Sequence, residues 1–535
     1  MKEKTSPGFT LSMFDVTGIQ EYIFQSNRLK ENIGASTLVE KALSDFLKEA
    51  IQDVLERYAV DWERQDRFAF LDDHSLESEI IYAGGGNAMV AFRDRDAARK
   101  VARQLSRILL ERAPGLNITV VHQDDCGENF DRDRQSLLAA IQKKKAETYP
   151  IRKMGGLSIT ELCPDTYQPV TDYEHGEAIS AERQTKRAAA RTKTMAYSIQ
   201  AERFDIPAEF DDLGREEGES YIGVVHIDGN SSGARINQLL AHIDTYDDAV
   251  RRIRQFSKEM DQTYKRAYQF IIDKLQASVI DNKIGQIKLR NKGDQEETVY
   301  LPIRDIVLNG DDVTFVCDGR LALSLSHMFL SYLNRQSLSV DGRPCTACAG
   351  IAIVKPHFPF YRAYRIAEQC CAFAKRRAKR EAVSAESVES WLDFHVVTGG
   401  IREVELREVR KKHYRIVDGV ADEDKYHLLW RPWRVSDASD GDLNIDPYHF
   451  AHFIRIYRSF VEGGKAWPRN KLKQLKNAFA LGKQATAFHL REAESRGWVL
   501  PDFPPEVIKD GFTPFDQTPY YDVLEMLDLF TILPE

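Results

Sequence analysis

The pattern of apolar and polar positions in the first part of the chain predicts one α/β unit. A strand-like stretch from Phe9 to Val16 precedes a longer segment, Ile19 to Ile51, with apolar residues at helical spacing. The sequence IIYAGGGNAMVAF (80–92) places two apolar runs around a glycine-rich turn, which is typical of a β-hairpin. A helical segment (96–113) and the strand-like sequence LNITVVHQ (116–123) follow. Strand, helix, hairpin, helix and strand is the ferredoxin-like order.

The same order recurs about two hundred residues further along the chain, which indicates an internal repeat. The second copy consists of a strand (221–228), a helix (about 247–275), a hairpin (306–316), a helix (321–333), a strand (346–354) and a further helix (about 363–380). Beyond residue 400, amphipathic helices dominate, as in YHFAHFIRIYRSFVEGG. We therefore expect an α+β fold with two ferredoxin-like domains packed together and a C-terminal helical domain.

The hairpin of the second copy, IVLNGDDVTFV (306–316), carries two adjacent carboxylates at its turn. Asp311 and Asp312 follow Asn309 and Gly310 there. Adjacent carboxylates repel each other unless water or a divalent cation neutralises them, and their oxygens suit Mg²⁺ or Mn²⁺ bound to a substrate phosphate. A solvated acidic turn is the alternative interpretation, so this hairpin alone leaves both open.

A second segment, YIGVVHIDGNSSG (221–233), favours the metal-site interpretation. Its β-branched run puts Asp228 at the end of a strand, and a small polar turn then leads into a helix. Such a turn offers backbone N–H groups to phosphates. The residues of this turn are Asn230, Ser231, Ser232 and Gly233. A strand-end carboxylate, a phosphate-binding turn and a carboxylate hairpin form the minimum set for two-metal nucleotidyl transfer.

The first copy lacks the hairpin carboxylates. Its turn reads Gly84, Gly85, Gly86 and Asn87, although Asp15 is present on the leading strand. Without the paired acids, this copy cannot hold metal ions in the same way. A glycine turn lets the backbone approach a ligand closely, so we expect it to contact a nucleotide held between the two hairpins. Tight packing between the two copies is the alternative reason for the glycines.

Four sequence segments resemble the palm domain of the polymerase/cyclase large subunit of type III CRISPR effector complexes, a relative of GGDEF nucleotide cyclases. They are HIDGNSSG, NGDDVTFV, ACAGIAIVKPHFPFYRAYRIAE and AFAKRRAK. The resemblance implies two palm (GGDEF-like) domains, of which the second is catalytic. It implies metal binding by the carboxylates of Asp228, Asp311 and Asp312 and by the carbonyl of Ile227.

The same resemblance implies which residues contact the nucleotides. It assigns the triphosphate to the 230–233 turn and directs Lys375 at the phosphates; an exposed helix lysine is the alternative for Lys375. Asn309, where the family motif has glycine, and Gly310 lie beside the carboxylates. No His-Asp dipeptide precedes Phe9, so the HD nuclease domain with which many such subunits begin is not expected.

The expected activity is Mg²⁺-dependent nucleotidyl transfer that converts ATP to pyrophosphate and a cyclic oligoadenylate or cyclic dinucleotide messenger in prokaryotic antiviral defence. One rival is a GGDEF-like cyclase that uses GTP, against which the absence of Glu-Phe after Asp311 counts. A second rival is a non-catalytic RNA-binding scaffold subunit. In such a protein, paired carboxylates would lower stability without serving a function. The expected partners are ATP and either RNA, CRISPR effector subunits or further copies of the chain.

The domain boundaries follow from the repeat. We expect a first palm at 1–150, a helical connector at 151–215, a second palm at 216–400 and a helical domain at 401–535. In the connector, GLSITELCPDTYQPV retains one cysteine, Cys163, and looks like a degenerate zinc module. The basic segment SAERQTKRAAARTKTMAYS (180–198) is typical of a solvated helix face.

Composition narrows the class of protein. The chain has 535 residues, 43% hydrophobic and 29% charged, with a net charge of −8, which predicts a soluble globular protein without a general nucleic-acid-binding coat. Seven cysteines, an odd number, indicate reduced thiols, and Cys345 and Cys348 fit a buried strand better than a zinc site. The start has no apolar signal region and the chain no membrane-length apolar run, so we expect a cytoplasmic protein that does not contact membranes.

Overall fold

The computed structural model describes most of the chain. The described residues are 8–64, 67–147, 157, 159–213, 220–293, 298–384, 387–399, 403–416, 426–437, 446–462, 466–504, 510–514 and 516–534. Helices and strands alternate along the chain, so the α+β class predicted from the sequence is confirmed.

The first unit is built around a five-stranded sheet. Its strands are β1 (Phe9–Thr17), β2 (Tyr58–Ala59), β3 (Ser78–Gly84), β4 (Asn87–Phe92) and β5 (Asn117–Cys126), in the order β2-β3-β4-β1-β5. Its helices are α1 (Ile19–Phe24), α2 (Leu29–Leu43), α3 (Asp45–Val54), α4 (Arg95–Arg112) and α5 (Phe130–Glu147). The central strand β1 is antiparallel to both β4 and β5. Strand, helices, hairpin, helix and strand therefore follow one another as the sequence predicts.

The described residues of the connector include a hairpin and a helix. These are β6 (Val170–Glu174), β7 (Glu177–Ser180) and α6 (Ala181–Ala190). Helix α6 packs against α2, where a Cβ on Gly34 would lie 1.7 Å from the Lys186 carbonyl oxygen. Arg183 is 2% exposed and pairs with the buried Glu31 at 2.9 Å. The interpretation of this basic segment as a solvated helix face is therefore wrong, because acids from other elements neutralise its buried cations.

The second unit is built around a six-stranded sheet. Its strands are β9 (Ile222–Gly229), β13 (Ile303–Asn309), β14 (Asp312–Asp318), β15 (Ala347–Val354), β16 (Ser390–Val396) and β17 (Trp433–Val435), in the order β13-β14-β9-β15-β16-β17. The short strands β8 (Phe204–Asp205), β10 (Lys283–Ile284), β11 (Ile287–Lys288) and β12 (Val299–Tyr300) form two small sheets beside it. Its helices are α7 (Ser232–Leu240), α8 (Tyr246–Ala277), α9 (Ala322–Asn334), α10 (Phe360–Glu381) and α11 (Leu406–His413).

Strand β9 is central because its β-branched residues can be buried on both faces of the sheet. Val225 and Ile227 belong to a core that includes α8, α9 and the C-terminal helices. Val224, which points to the opposite face, shares a second core with Phe14 and Val16 of the first unit. The two units are therefore packed together through one continuous apolar core.

Helix α8, 32 residues long, contacts both units. Its N-terminal part contributes Val250 and Ile253 to the core beneath the first sheet, and its C-terminal part contributes Ile271 to the core beneath the second. A buried ion pair joins Arg254 to Glu79 of β3 at 2.8 Å. The middle of α8 consequently lies at the junction of the two units.

The described residues from 446 onwards are mostly helical, whereas β17, which lies within the predicted helical domain, pairs with β16 of the second sheet. The helices there are α12 (Phe450–Val461), α13 (Arg469–Leu481), α14 (Lys483–Glu494) and α15 (Tyr520–Glu525). Arg431, which is fully buried, binds Glu525 at 2.8 Å and anchors α15 to the strand edge of the second sheet. Among the described residues, no helix combines the length and apolar character that crossing a membrane requires. All seven cysteines are buried and unpaired with one another.

Candidate functional site

Two carboxylates lie directly opposite each other where β9 and β14 meet. Asp228 is the cross-strand partner of Asp312. The side chains of such a pair lie within about 5.5 Å at Cβ, so two like charges there are destabilising unless something neutralises them. Asp311 precedes Asp312 at the turn, and its carbonyl oxygen accepts a hydrogen bond from the Gly229 N–H at 3.1 Å. The fold thus brings together the three acids predicted from the sequence.

Lys375 of α10 neutralises one of these carboxylates. Its Nζ lies 2.5 Å from Asp228 Oδ2 and donates to the Gly229 carbonyl oxygen at 2.9 Å. Burial alone would lower the pKa of Lys375, but the adjacent Asp228 outweighs it, so the pKa is raised above its ordinary value. The side chain is 25% exposed. Lys375 is therefore part of the carboxylate site rather than an exposed helix lysine.

Asp312 has an unsatisfied oxygen. Although 46% of its side chain is exposed, Oδ1 is buried and has no hydrogen-bond partner among the described residues. His226 Nδ1 lies 3.5 Å from this oxygen but is hydrogen-bonded to Thr314 Oγ1. Burial, and then the charges of Asp228 and Asp311, raise the pKa of Asp312 to about 8. Burial lowers the pKa of His226, so this histidine supplies no compensating positive charge near neutral pH.

These residues fit a Mg²⁺ or Mn²⁺ ion that is completed by substrate. Within the described part of the chain, no group of three or more His, Cys, Asp or Glu side chains is arranged as a metal cage. Mg²⁺ is commonly held by one or two carboxylates together with substrate phosphates and water, so a cage is not required. The unpartnered Oδ1 of Asp312, opposite Asp228, is the observation that supports this fit. Ile227 pairs with Val313 and Ala349 across both neighbouring strands, and the proposed role of its carbonyl stays a prediction.

The turn between β9 and α7 contacts the carboxylate hairpin. Ser232 Oγ donates a hydrogen bond to Asp311 Oδ2, and Gly233 has open space on its Cβ side. Ser231 adopts a left-handed conformation with φ of 59°, which lets the chain enter the helix abruptly. Whether this turn holds a triphosphate stays a prediction.

Asn230 is turned inwards instead. Its Nδ2 donates to Thr346 Oγ1 at 3.2 Å and to the Glu389 carbonyl oxygen at 3.1 Å, and its backbone N–H donates to the Thr346 carbonyl oxygen at 2.9 Å. The backbone N–H that was expected to reach phosphate is therefore occupied within the protein, and so is the side-chain amide. The observed position of Asn230 indicates that it fixes the turn against β15 and β16.

The two hairpin turns face each other across one cavity. Residues of both turns line it, namely Gly85, Gly86, Asn309, Asp311 and Asp312. The Gly85 N–H donates to Asn309 Oδ1 at 3.3 Å, so the turns are in direct contact. Gly84 ends β3, Asn87 begins β4, and Gly310 is held by Asp261 of α8 through its backbone N–H at 3.3 Å. The juxtaposition expected from the repeat is therefore present, whereas nucleotide binding there is untested.

Several residues at this site were not identified from the sequence. Lys193, Lys265 and Asp305 line the same cavity, and Lys145 pairs with Asp15 in the first unit at 2.6 Å. One indication was available for Lys145: it and Lys375 each lie fifteen residues after the first residue of their helix. Aligning the two copies through these helices would have identified it.

No protein-family model and no curated protein sequence matches the chain. Solved structures do match over nearly its whole length. Csm1 in T. onnurineus is 14% identical with a TM-score of 0.55, covering 97% of this chain and 69% of that one. The Csm1-Csm4 cassette in complex with one ATP is 15% identical with a TM-score of 0.53, covering 98% and 70%. The cassette in complex with cA4 is 14% identical with a TM-score of 0.52, covering 98% and 70%. At such identities the likeness shows that the chain shares the Csm1 fold.

Proposed function

We propose that this chain is a nucleotidyltransferase and cyclase of the type III CRISPR large-subunit kind, which converts ATP to a cyclic oligoadenylate or cyclic dinucleotide and pyrophosphate. The observation that carries the proposal is the cross-strand pair Asp228–Asp312, together with the cavity that Asp311 and Asp312 share with the glycine turn of the first unit. The ligands bound in the fold relatives, ATP and cA4, support the same substrate and product class. In this proposal the two units are palm domains.

The protein's own residues supply charge and position. Asp228, Asp311 and Asp312, with the Ile227 carbonyl, would hold Mg²⁺ or Mn²⁺. When bound, the ion lowers the pKa of an attacking ribose hydroxyl and stabilises the pyrophosphate leaving group. Lys375, fixed by Asp228 and the Gly229 carbonyl, adds a positive charge beside the carboxylates for the phosphates.

The first unit is proposed to hold the second nucleotide. Gly85 and Gly86 approach the cavity without side chains, and Asn309 bridges the turns through the Gly85 N–H. Two nucleotides bound on either side of this contact would bring a ribose hydroxyl of one near the α-phosphate of the other, which is the orientation that bond formation requires.

A non-catalytic scaffold explains the site less well. A buried, unpartnered carboxylate oxygen at Asp312 costs stability, and a protein without use for a cation gains nothing from it. Effector subunits are proposed as partners because the fold relatives include Csm1-Csm4 cassettes.

Incubating the purified chain with Mg²⁺ and each labelled nucleoside triphosphate separately tests the proposal. We expect pyrophosphate release and a cyclic product from ATP. Product from GTP alone would instead support a GGDEF-like cyclase. Absence of product from every triphosphate would favour the scaffold.

Replacing both turn acids, Asp311→Ala with Asp312→Ala, should lower product formation at least about a thousandfold, because the cation ligands are removed. The melting temperature should be retained, since turn carboxylates contribute little to the core. Glu40→Gln is the matched control, because Glu40 is an exposed acid that lines the same cavity. Pyrophosphate release at the parental rate by the double variant would show that the site has been assigned wrongly.

A further inference from the structure

Two lysines outside the predicted site line the cavity between the hairpin turns, and they differ in how they are engaged. Lys193 is 8% exposed; its Nζ pairs with Asp305 Oδ2 at 2.5 Å and donates to the Ile306 carbonyl oxygen at 3.1 Å. Its charge is therefore used to neutralise a buried acid. Lys265 also lines the cavity, but 34% of its side chain is exposed. Of the two, Lys265 is the cation with access to a ligand.

Lys265 is held in a fixed position relative to the carboxylate turn. Its Nζ donates to Asp261 Oδ2 at 2.7 Å, one helical turn earlier on α8. The other oxygen of Asp261 accepts the Gly310 N–H at 3.3 Å. A continuous chain of contacts thus runs from the residue before Asp311 to the lysine. Helix α8, which carries Asp261 and Lys265, packs against both units at the junction where the cavity lies.

The cavity needs a second cation for the proposed substrates. A nucleoside triphosphate brings several negative charges next to Asp311 and Asp312, whereas Lys375 of α10 is paired with Asp228 and does not line the cavity. Lys265 approaches the cavity from α8 instead. A lysine ammonium is a compact charge with three donors, which suits the oxygens of a flexible polyphosphate.

We infer that Lys265 binds the polyphosphate of a nucleotide in the cavity between the two turns, and that Asp261 is the positioning residue that orients it. This inference rests on the proposed function, because it takes a nucleoside triphosphate as the ligand. It adds a polyphosphate contact on the α8 side of the cavity, at a residue that no sequence motif marks.

Equilibrium titration with inorganic pyrophosphate and with adenosine, both in Mg²⁺, tests the inference. Lys265→Met should weaken pyrophosphate binding at least about tenfold, because a charge-assisted hydrogen bond is lost, and leave adenosine binding unchanged. Lys265→Arg keeps the charge and should retain affinity within about threefold. Lys274→Met is the matched control: Lys274 lies on the same helix, with its Nζ 5.5 Å from the Phe270 ring, and does not line this cavity.

Asp261→Asn tests the positioning role. It should weaken pyrophosphate binding less than Lys265→Met does, and it should add little when combined with that substitution, because both act through one contact. Additive losses would show that Asp261 acts independently of Lys265.

The outcomes separate the inference from the proposed function. Pyrophosphate binding by Lys265→Met within about twofold of wild type, or an equal loss of adenosine affinity, would overturn the inference. A wild-type protein that binds pyrophosphate through Lys265 but makes no product from any triphosphate would overturn the proposed function and leave the inference intact. A wild-type protein that does not bind pyrophosphate overturns the inference.

Discussion

The two sheet units carry the same arrangement of residues at the same register, with three turn positions exchanged. Asp15 lies opposite Asn87 on the neighbouring strand, as Asp228 lies opposite Asp312. Each leading-strand acid pairs with a lysine of the helix that follows the last strand of its repeat, Asp15 with Lys145 at 2.6 Å and Asp228 with Lys375 at 2.5 Å. The two sites differ because Asn309, Asp311 and Asp312 replace Gly84, Gly86 and Asn87.

This exchange changes the electrostatics of the two sites. In the first unit one carboxylate meets one lysine, so the pair is neutral and needs no cation. In the second unit Asp311 and Asp312 lie beside the Asp228–Lys375 pair, and burial together with the neighbouring acids raises the pKa of Asp312 to about 8. Once Asp312 is deprotonated, the site has an excess of negative charge. Since Coulomb attraction for a divalent cation depends on that excess, the same fold produces one site suited to a metal ion and one that is not.

The turn conformation contributes to the difference. In the first turn both central residues have positive φ, Gly85 at 59° and Gly86 at 80°. In the second turn only Gly310, at 61°, has positive φ, and Asp311 does not. A non-glycine residue rarely adopts positive φ, so only the second turn admits a carboxylate at its second central position without strain. Backbone geometry and metal chemistry are therefore linked at this position.

The largest expected effect comes from replacing the two leading-strand acids in turn. Asp228→Asn should lower product formation at least about a thousandfold, because it removes a cation ligand while keeping the side-chain shape. Asp15→Asn should change the turnover rate by no more than a few fold, because the first unit is not expected to hold a metal. Pyrophosphate release from ATP at saturating Mg²⁺ measures both.

Circular dichroism and melting temperature serve as the folding control for both variants. Equal losses of pyrophosphate release in Asp228→Asn and Asp15→Asn would contradict the proposal that only the second unit is catalytic.

An intermediate effect is expected at Gly85, where a Cβ would meet nothing within 4 Å. Gly85→Leu should weaken ATP binding about tenfold, because leucine is strained at positive φ by about 1–2 kcal/mol and would occupy the cavity. Gly85→Asn is the matched variant, since asparagine tolerates this conformation and is smaller, and its loss should be smaller. Calorimetric titration with ATP measures affinity and stoichiometry.

The stoichiometry decides whether the cavity is shared. Two nucleotides per wild-type chain, reduced towards one by Gly85→Leu, are expected. A single nucleotide per chain whose affinity is unaffected by that substitution would refute the two-nucleotide cavity.

The elements and their order were predictable because their determinants are local. Strand β9 and both hairpins are defined by β-branched runs and by turn residues that lie within a few positions of one another. The acidic constellation was predictable for the same reason, since two adjacent acids sit on one turn and a third ends a strand. Each turn then sets the register of its hairpin, with Gly84 opposite Asn87 and Asn309 opposite Asp312.

The remaining features depend on contacts between residues far apart in the sequence. Arg183 was expected to be solvated because the segment around it is basic. It is buried instead, because it pairs with Glu31, which lies in the first unit. The backbone N–H of Asn230 was expected to bind phosphate, but it donates to the Thr346 carbonyl oxygen instead. Lys265 and Asp261 form an ordinary helical pair by spacing, and only the fold places them at the cavity. Local patterns do not contain this information.

The smallest expected effect concerns the pH dependence of stability without metal, and it arises from Asp312. Burial and the neighbouring acids raise the pKa of Asp312 to about 8 in the folded protein. In the unfolded chain, the pKa of an aspartate is about 3.9. Between those values the folded state retains a proton that the unfolded state has lost, so stability falls as pH rises through this window. Partial exposure of the side chain keeps the effect small.

In EDTA, the melting temperature of the wild type should therefore fall between pH 5 and pH 8.5 by about 1–2 °C more than that of Asp312→Asn, in which no carboxyl group can titrate. Mg²⁺ binds the deprotonated form, so adding it at pH 8.5 should restore the wild type and leave the variant unchanged. The first unit provides the contrast: Asn87 already has the amide that Asp312→Asn introduces, so the variant makes the second cross-strand pair resemble the first. The two proteins could instead show the same dependence of melting temperature on pH, with and without Mg²⁺. The excess charge at the second turn would then already be neutralised within the folded chain. That result would contradict the electrostatic difference between the two sites.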